Sequence, residues 1–219
     1  MGLADRFRPI VPKDIARELG SAGLRSILRL MADAYGDLEA RKCVMSNSDE
    51  DSITEEWYVC IQQRWKQDSR LSYIPVHQKS DATRAKARGK SPTVDFCFRD
   101  GFDDRSYFGV ECKLLDEGSK KHIKAYLDDT EGIGRFVSGR YSAPSGAGAM
   151  AGYVRTGSCD KVAASLRTDI RKLTGNPKLT KSRTLSTFAY LYESRHTRNC
   201  PVATFRCYHL LLGFNCDEA

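Results

Sequence analysis

The sequence predicts an α/β domain built on a mixed β-sheet, and three observations carry that prediction. Segments of helical period alternate along the chain with segments of strand period. Thr93 to Arg99 and Tyr107 to Leu115 alternate apolar and polar residues on either side of Asp100-Gly101-Phe102-Asp103-Asp104, which is turn chemistry, so they form a β-hairpin. The chain has 219 residues, 41% of them apolar and 29% charged, so it is long enough to bury a sizeable core. It contains no apolar run of about 18 residues, which excludes a membrane-spanning helix as the organising element.

The elements follow in order. Leu24, Ile27, Leu28, Met31 and Tyr35 fall at helical spacing opposite Arg25, Arg29 and Asp33, an amphipathic packing helix. Ile53, Trp57, Cys60, Ile61 and Trp65 repeat with the same period, placing a second helix from about Glu50 to Lys66. Leu71 to Val76 reads as a short strand. Lys79 to Lys90 then carries Lys79, Arg84, Lys86, Arg88 and Lys90 against the single acid Asp81, without apolar periodicity, and reads as a loop or arm. Beyond the hairpin, a helical region from about Lys120 to Val137 is interrupted by Gly132 and Gly134, and a Gly/Ala/Ser-rich loop leads into a strand at Ala149 to Val154. Asp160 is the expected N-cap of a helix with the apolar face Val162, Leu166, Ile170 and Leu173. Strands at Ser186 to Tyr192 and Val202 to Phe214 close the chain. With no linker or repeat in view, one domain is expected: a helical extension over 1–45, a core over 46–155 and a C-terminal helix and strands over 156–219.

Composition narrows the partners. Lys and Arg number 35 against 28 Asp and Glu, a net charge of +7 that biases the surface towards polyanions. The opening MGLADRFRPIVPKD lacks the apolar core of a signal peptide, and Arg6 stands where a myristoylation signal has Ser or Thr, so a cytoplasmic location without membrane attachment is expected. The eight cysteines are scattered without C-x-x-C pairs and read as reduced thiols filling small apolar spaces. His196, Cys200, Cys207 and His209 are residue types that suit zinc, but their spacing fits no standard finger and ordinary strand packing is the simpler account.

The hairpin carries the chemistry. Antiparallel pairing about a turn near residue 103 sets Asp95 opposite Glu111. Alternation places Val94, Phe96 and Phe98 with Val110, Cys112 and Leu114 on one face, and Asp95, Cys97 and Arg99 with Glu111 and Lys113 on the other. Opposed carboxylates repel unless a cation lies between them, and either Lys113 or a divalent metal could supply it. A solvated polar face is the plain alternative.

Pro92-Thr93-Val94-Asp95, followed after fifteen intervening residues by Glu111-Cys112-Lys113, resembles the PD-(D/E)XK nuclease superfamily, the restriction-endonuclease-like fold. In that family an acid on one strand and an E-x-K triplet on the next form the metal site. Thr93 and Val94 separate Pro92 from Asp95, so the literal Pro-Asp pair is absent. The resemblance spans roughly 46–155 and implies an α-β-β-β-α-β core, to which this chain adds an N-terminal helical extension and extra C-terminal strands. Many members also bring a Glu from the preceding helix to the metal. With Trp57 at the centre of the apolar face, Glu50 lies on that face, Glu56 on its flank, and Glu55 away from it. Glu50 is the choice and Glu56 the alternative, although a Glu at a helix start is also favoured by the helix dipole.

The resemblance implies a Mg²⁺- or Mn²⁺-dependent nuclease acting most plausibly on DNA. Asp95, Glu111, the Cys112 carbonyl and Glu50 would bind the metal, and Lys113 would position or help deprotonate the attacking water. Cys112 itself should be inert packing. Two basic regions would track phosphates: the arm with Lys86, Arg88 and Lys90, and the later helix with Arg167, Arg171 and Lys172. Arg135 and Arg140 could reach phosphate nearer the site. So small a nuclease without a specificity module implies restraint by homodimerisation or by a helicase- or ATPase-type partner, as in prokaryotic defence, restriction or repair. The alternative is a non-catalytic nucleic-acid-binding or assembly subunit of the same fold.

Overall fold

The computed structural model describes residues 20–68, 73–80, 93–100 and 107–214. Lys86, Arg88 and Lys90, and the tip of the hairpin, lie outside those residues. Helix α1 (Gly20–Arg41) and helix α2 (Glu50–Gln67) come first. Strands β1 (Tyr73–Ser80), β2 (Thr93–Asp100) and β3 (Tyr107–Leu114) follow, then α3 (Lys120–Leu127), the short α4 (Gly134–Val137) and β4 (Ala147–Val154). Helix α5 (Cys159–Asp169) with a 3₁₀ turn at Ile170–Lys172, then β5 (Thr180–Lys181), β6 (Leu191–Thr197) and β7 (Thr204–Gly213) complete the fold.

The seven strands form one mixed sheet in the order β1-β2-β3-β4-β7-β6-β5. β3, β4 and β7 are mutually parallel at the centre, and antiparallel strands flank them on both sides. Parallel strands need cover on both faces, and every residue of β4 is buried. One face packs Phe96, Phe98, Val110, Cys112, Ala149 and Tyr208 against α1 and α2. The other packs Met150, Phe205, Cys207 and Leu211 against α3, α4 and α5. The α/β class and the mixed sheet are therefore as the sequence predicts.

Helix α2 begins where the sequence places it because Asp49 caps it, its carboxylate accepting the Ser52 N–H at 2.7 Å. Trp57 anchors the helix: its ring meets Phe96 edge-on at 5.2 Å and its Nε1 donates to the Met31 carbonyl at 3.2 Å. Burial of one such aromatic contributes about 1.5–3 kcal/mol, so α2 is firmly seated, and its first residue, Glu50, is fixed in place with it.

Some expectations are corrected. Helix α5 is capped by Ser158, whose hydroxyl accepts the Asp160 N–H at 3.2 Å; Asp160 lies inside the first turn. Strand β6 starts at Leu191, so Ser186 to Tyr190 is not strand, and the short β5 pairs with it as an edge. The Gly/Ala/Ser-rich loop is closely packed, with Ser142 and Ser145 fully buried. His196, Cys200, Cys207 and His209 form no metal cluster. The Ser194 hydroxyl lies 2.7 Å from His196 Nε2 and 2.8 Å from His209 Nε2, and His209 Nδ1 lies 3.0 Å from the Tyr126 hydroxyl. This chain satisfies both imidazoles inside the core, and burial pushes them down to about 4 for His196 and about 3 for His209, so both are neutral.

Candidate active site

The site forms where β2 leaves β3. Their ladder pairs Phe96 with Val110 and Arg99 with Tyr107, the register the turn predicts, and stops at Phe96. One step further stands Asp95, opposite Glu111. The ladder on the other side of β2 is interrupted at the same residue: His77 pairs with Phe96 and Lys79 with Val94, while Gln78 between them takes a positive φ of 46°. This break reverses the expected alternation, and Val94 packs on the face of Cys97 instead of that of Phe96 and Phe98.

Beyond the break, β3 runs on beside β4, and alternate N–H groups on its free edge need new acceptors. Carboxylates supply them. Asp95 Oδ2 accepts the Cys112 N–H at 2.6 Å, and Glu50 Oε2 accepts the Leu114 N–H at 3.1 Å. Glu50 reaches this edge because α2 packs on the adjacent face with its N-terminus pointing at the break.

Lys113 lies among the acids. Its ammonium is 2.7 Å from Glu50 Oε1, 3.3 Å from Glu111 Oε1 and 2.9 Å from the Cys112 carbonyl. Arg135, from α4, places Nη1 at 3.3 Å from the same Glu111 oxygen and also donates to the Tyr141 hydroxyl. Tyr141 in turn donates to the Thr93 carbonyl at 2.6 Å, tying the loop before β4 to the start of β2. Glu111 is 1% exposed, and its Oε2 is buried without a hydrogen-bond partner.

Burial governs the protonation of the two facing acids. It drives Glu111 up to about 8, with the Asp95 charge adding to the rise and Lys113 and Arg135 opposing it. Burial likewise raises Asp95 to about 6, against the Cys112 N–H and the Lys113 charge. For Lys113, burial acts against the charge, but Glu111 and Glu50 outweigh it and hold the ammonium above its ordinary value. Two cations at 3.3 Å do not offset the desolvation of Glu111 because only one of its oxygens is partnered.

All four expected ligand positions, Asp95, Glu111, Cys112 and Glu50, thus come together with Lys113, and Arg135 joins them. Glu56, the alternative to Glu50, is exposed and pairs with Arg41 at 3.3 Å. The Cys112 thiol packs in the core beneath, pushed well above its ordinary value by burial. Arg140, Arg167, Arg171 and Lys172 are exposed, and Lys172 bonds Asp169 at 2.5 Å, a surface pair of little energetic weight. Tyr141 was not anticipated; it sits in an aperiodic glycine-flanked stretch, and only the folded loop brings it to Thr93.

Among the described residues no three His, Cys, Asp or Glu side chains stand ready-made as a metal cage. The reason is visible: Lys113 occupies the space between Glu50 and Glu111, and Asp95 is turned to the Cys112 N–H. The donors are nonetheless carboxylate and carbonyl oxygens, which suit Mg²⁺ or Mn²⁺, and the orphaned Glu111 oxygen is an unused ligand. Clefts of about 330 and 310 Å³ lie between α3 and α5, lined by Lys120, Ile123 and Asp169 in common, and neither is lined by these residues of the site. The acids with raised pKa values, Asp95 and Glu111, lie instead at the β2–β3 break. No helix among the described residues is long and apolar enough to cross a membrane. Compared with protein-family models, with curated proteins and with solved structures, the chain has no match.

Proposed function

We propose that the protein is a metal-dependent nuclease with a restriction-endonuclease-like core, hydrolysing phosphodiester bonds in DNA. The observation that carries this reading is the convergence of Glu50, Glu111 and the Cys112 carbonyl around the Lys113 ammonium, with Asp95 bonded to the adjacent Cys112 N–H. The order α2, β1-β2-β3, α3, β4, with β4 parallel to β3, supports it as well.

Asp95, Glu111, the Cys112 carbonyl and Glu50 would hold Mg²⁺ or Mn²⁺. The bound metal would lower the pKa of a water and neutralise charge on the scissile phosphate. Lys113 places its ammonium at the group; it would orient the attacking water and stabilise the charge that develops on phosphate oxygens. Arg135, partly exposed and fixed by Tyr141, offers a guanidinium to the same phosphate. Arg140, Arg167 on α5, and Arg171 and Lys172 on the 3₁₀ turn after it would bind the flanking backbone electrostatically, with affinity falling steeply in salt.

One observation favours the second reading, a non-catalytic nucleic-acid-binding or assembly subunit. Asp95 and Glu50 each satisfy a backbone N–H of β3, a task that a purely structural carboxylate performs. The two readings separate on incubating plasmid, linear duplex, single-stranded DNA and RNA with Mg²⁺, Mn²⁺ or EDTA. We expect metal-dependent cutting that falls by roughly a hundredfold or more in Asp95→Asn and Lys113→Met. Absence of cutting together with absence of Asp95-dependent Mn²⁺ binding establishes the second reading instead.

A further inference from the structure

Three of the four groups expected to hold a divalent ion already surround a cation. The Lys113 ammonium lies within 3.3 Å of Glu50 Oε1, Glu111 Oε1 and the Cys112 carbonyl. Lys113 is held there from three sides, is largely buried, and returns to the β3 backbone beside its own residue. The fourth, Asp95, accepts the Cys112 N–H at 2.6 Å, and the second Glu111 oxygen, Oε2, is buried and without a partner.

We propose that the Lys113 ammonium is the resident counter-ion of this oxygen set, and that a divalent cation loads only by displacing it. The proposal rests on the metal-site reading above. An ammonium and a divalent ion cannot share oxygens 2.7–3.3 Å from one point, so the metal-competent arrangement is only the fraction of molecules in which Lys113 has swung out. Apparent metal affinity is reduced by that fraction. Loading is therefore weak in the free protein and strengthens whenever Lys113 is drawn elsewhere, as by an incoming phosphate. Lys113 thus regulates occupancy of the site in addition to its part in the chemistry.

Arg135 provides the control. Its Nη1 lies 3.3 Å from the same Glu111 oxygen as the ammonium does, but it approaches neither Glu50 nor the Cys112 carbonyl in the contacts of the site. If positive charge alone opposes metal, Lys113→Met and Arg135→Gln raise affinity alike. If occupancy opposes it, only Lys113→Met does so strongly, since Met preserves the bulk of the Lys stem without its charge.

The test is calorimetric titration of Mn²⁺ into wild type, Lys113→Met, Arg135→Gln and Asp95→Asn, each confirmed folded by thermal unfolding. We expect Kd to fall about tenfold or more in Lys113→Met and to change by less than about threefold in Arg135→Gln. Equal gains in the two variants, or no gain in Lys113→Met, overturn displacement while leaving the metal site standing, provided wild-type binding is lost in Asp95→Asn. No binding by any protein overturns both. A measurement on wild type alone removes dependence on a variant's folding: acetylation of Lys113, read by mass spectrometry, should accelerate several-fold when Mn²⁺ is added, and an unchanged or slower rate sinks the proposal.

Discussion

Glu111 carries an electrostatic cost that should be readable from outside. Its folded-state pKa of about 8 stands above its ordinary value of 4.5 because of burial, with the Asp95 charge adding to the rise. Between those two pH values the folded protein holds a proton that the unfolded chain has lost, so stability falls as pH rises through the interval and levels off above it. The loss across the interval should be on the order of 5 kcal/mol. Denaturant unfolding from pH 5 to 8.5 should show this decline in wild type and a flatter profile in Glu111→Gln; equal slopes would show that Glu111 is not the source. The position of this residue was legible in the sequence, because antiparallel register follows from the turn and Glu111 sits a fixed number of residues beyond it. The backbone break at Asp95 was not legible: it coincides with a positive φ at Gln78 on the neighbouring strand and with the Tyr141 bond to Thr93, features that no local pattern encodes.

At the scale of elements, the stretch from α4 to β4 is ordered by a residue from the turn between β6 and β7. Arg198, 5% exposed, donates Nε to the Val202 carbonyl, Nη1 to those of Phe136 and Ser142, and Nη2 to those of Ala143 and Ser145. Its guanidinium also lies 4.7 Å from the Phe205 ring centroid. These carbonyls flank Tyr141, so Arg198 orders the loop whose Tyr141 hydroxyl bonds the start of β2. Arg198→Met leaves several buried acceptors unpaired and should cost about 2–4 kcal/mol. Hydrogen exchange should then show amides of 139–145 losing protection ahead of those in β4, whereas unaltered exchange there would sink the assignment. Elements with an apolar stripe, such as α2 and the hairpin, were legible from period alone. Strand β6 was not, because its inward residues are Ser194 and His196, polar groups whose burial is licensed by His209 on the neighbouring strand. The start of α5 was misplaced for a simpler reason: Ser158 and Asp160 are both good caps, and the packing of Cys159 in the core selects the earlier one.

On the scale of the whole molecule, β4 has consequences for how the protein is made. It is buried along its full length and pairs on one edge with β3, which precedes it closely, and on the other with β7, from Ala147↔Arg206 to Val154↔Gly213. During synthesis the first partner has already emerged, while the second follows only after α5, β5 and β6. Until then a long apolar strand of Ala, Met, Tyr and Val presents an open edge, the kind of surface on which nascent chains associate. A chain ending at residue 185, after α5, should therefore be recovered as aggregate even though it contains every residue of the candidate site. Size-exclusion chromatography of that truncation beside the full chain tests this, and a monodisperse truncated species would show that the edge is protected by other means. The last strand added thus decides whether the growing chain stays soluble, although it contributes no side chain to the acids at the β2–β3 break.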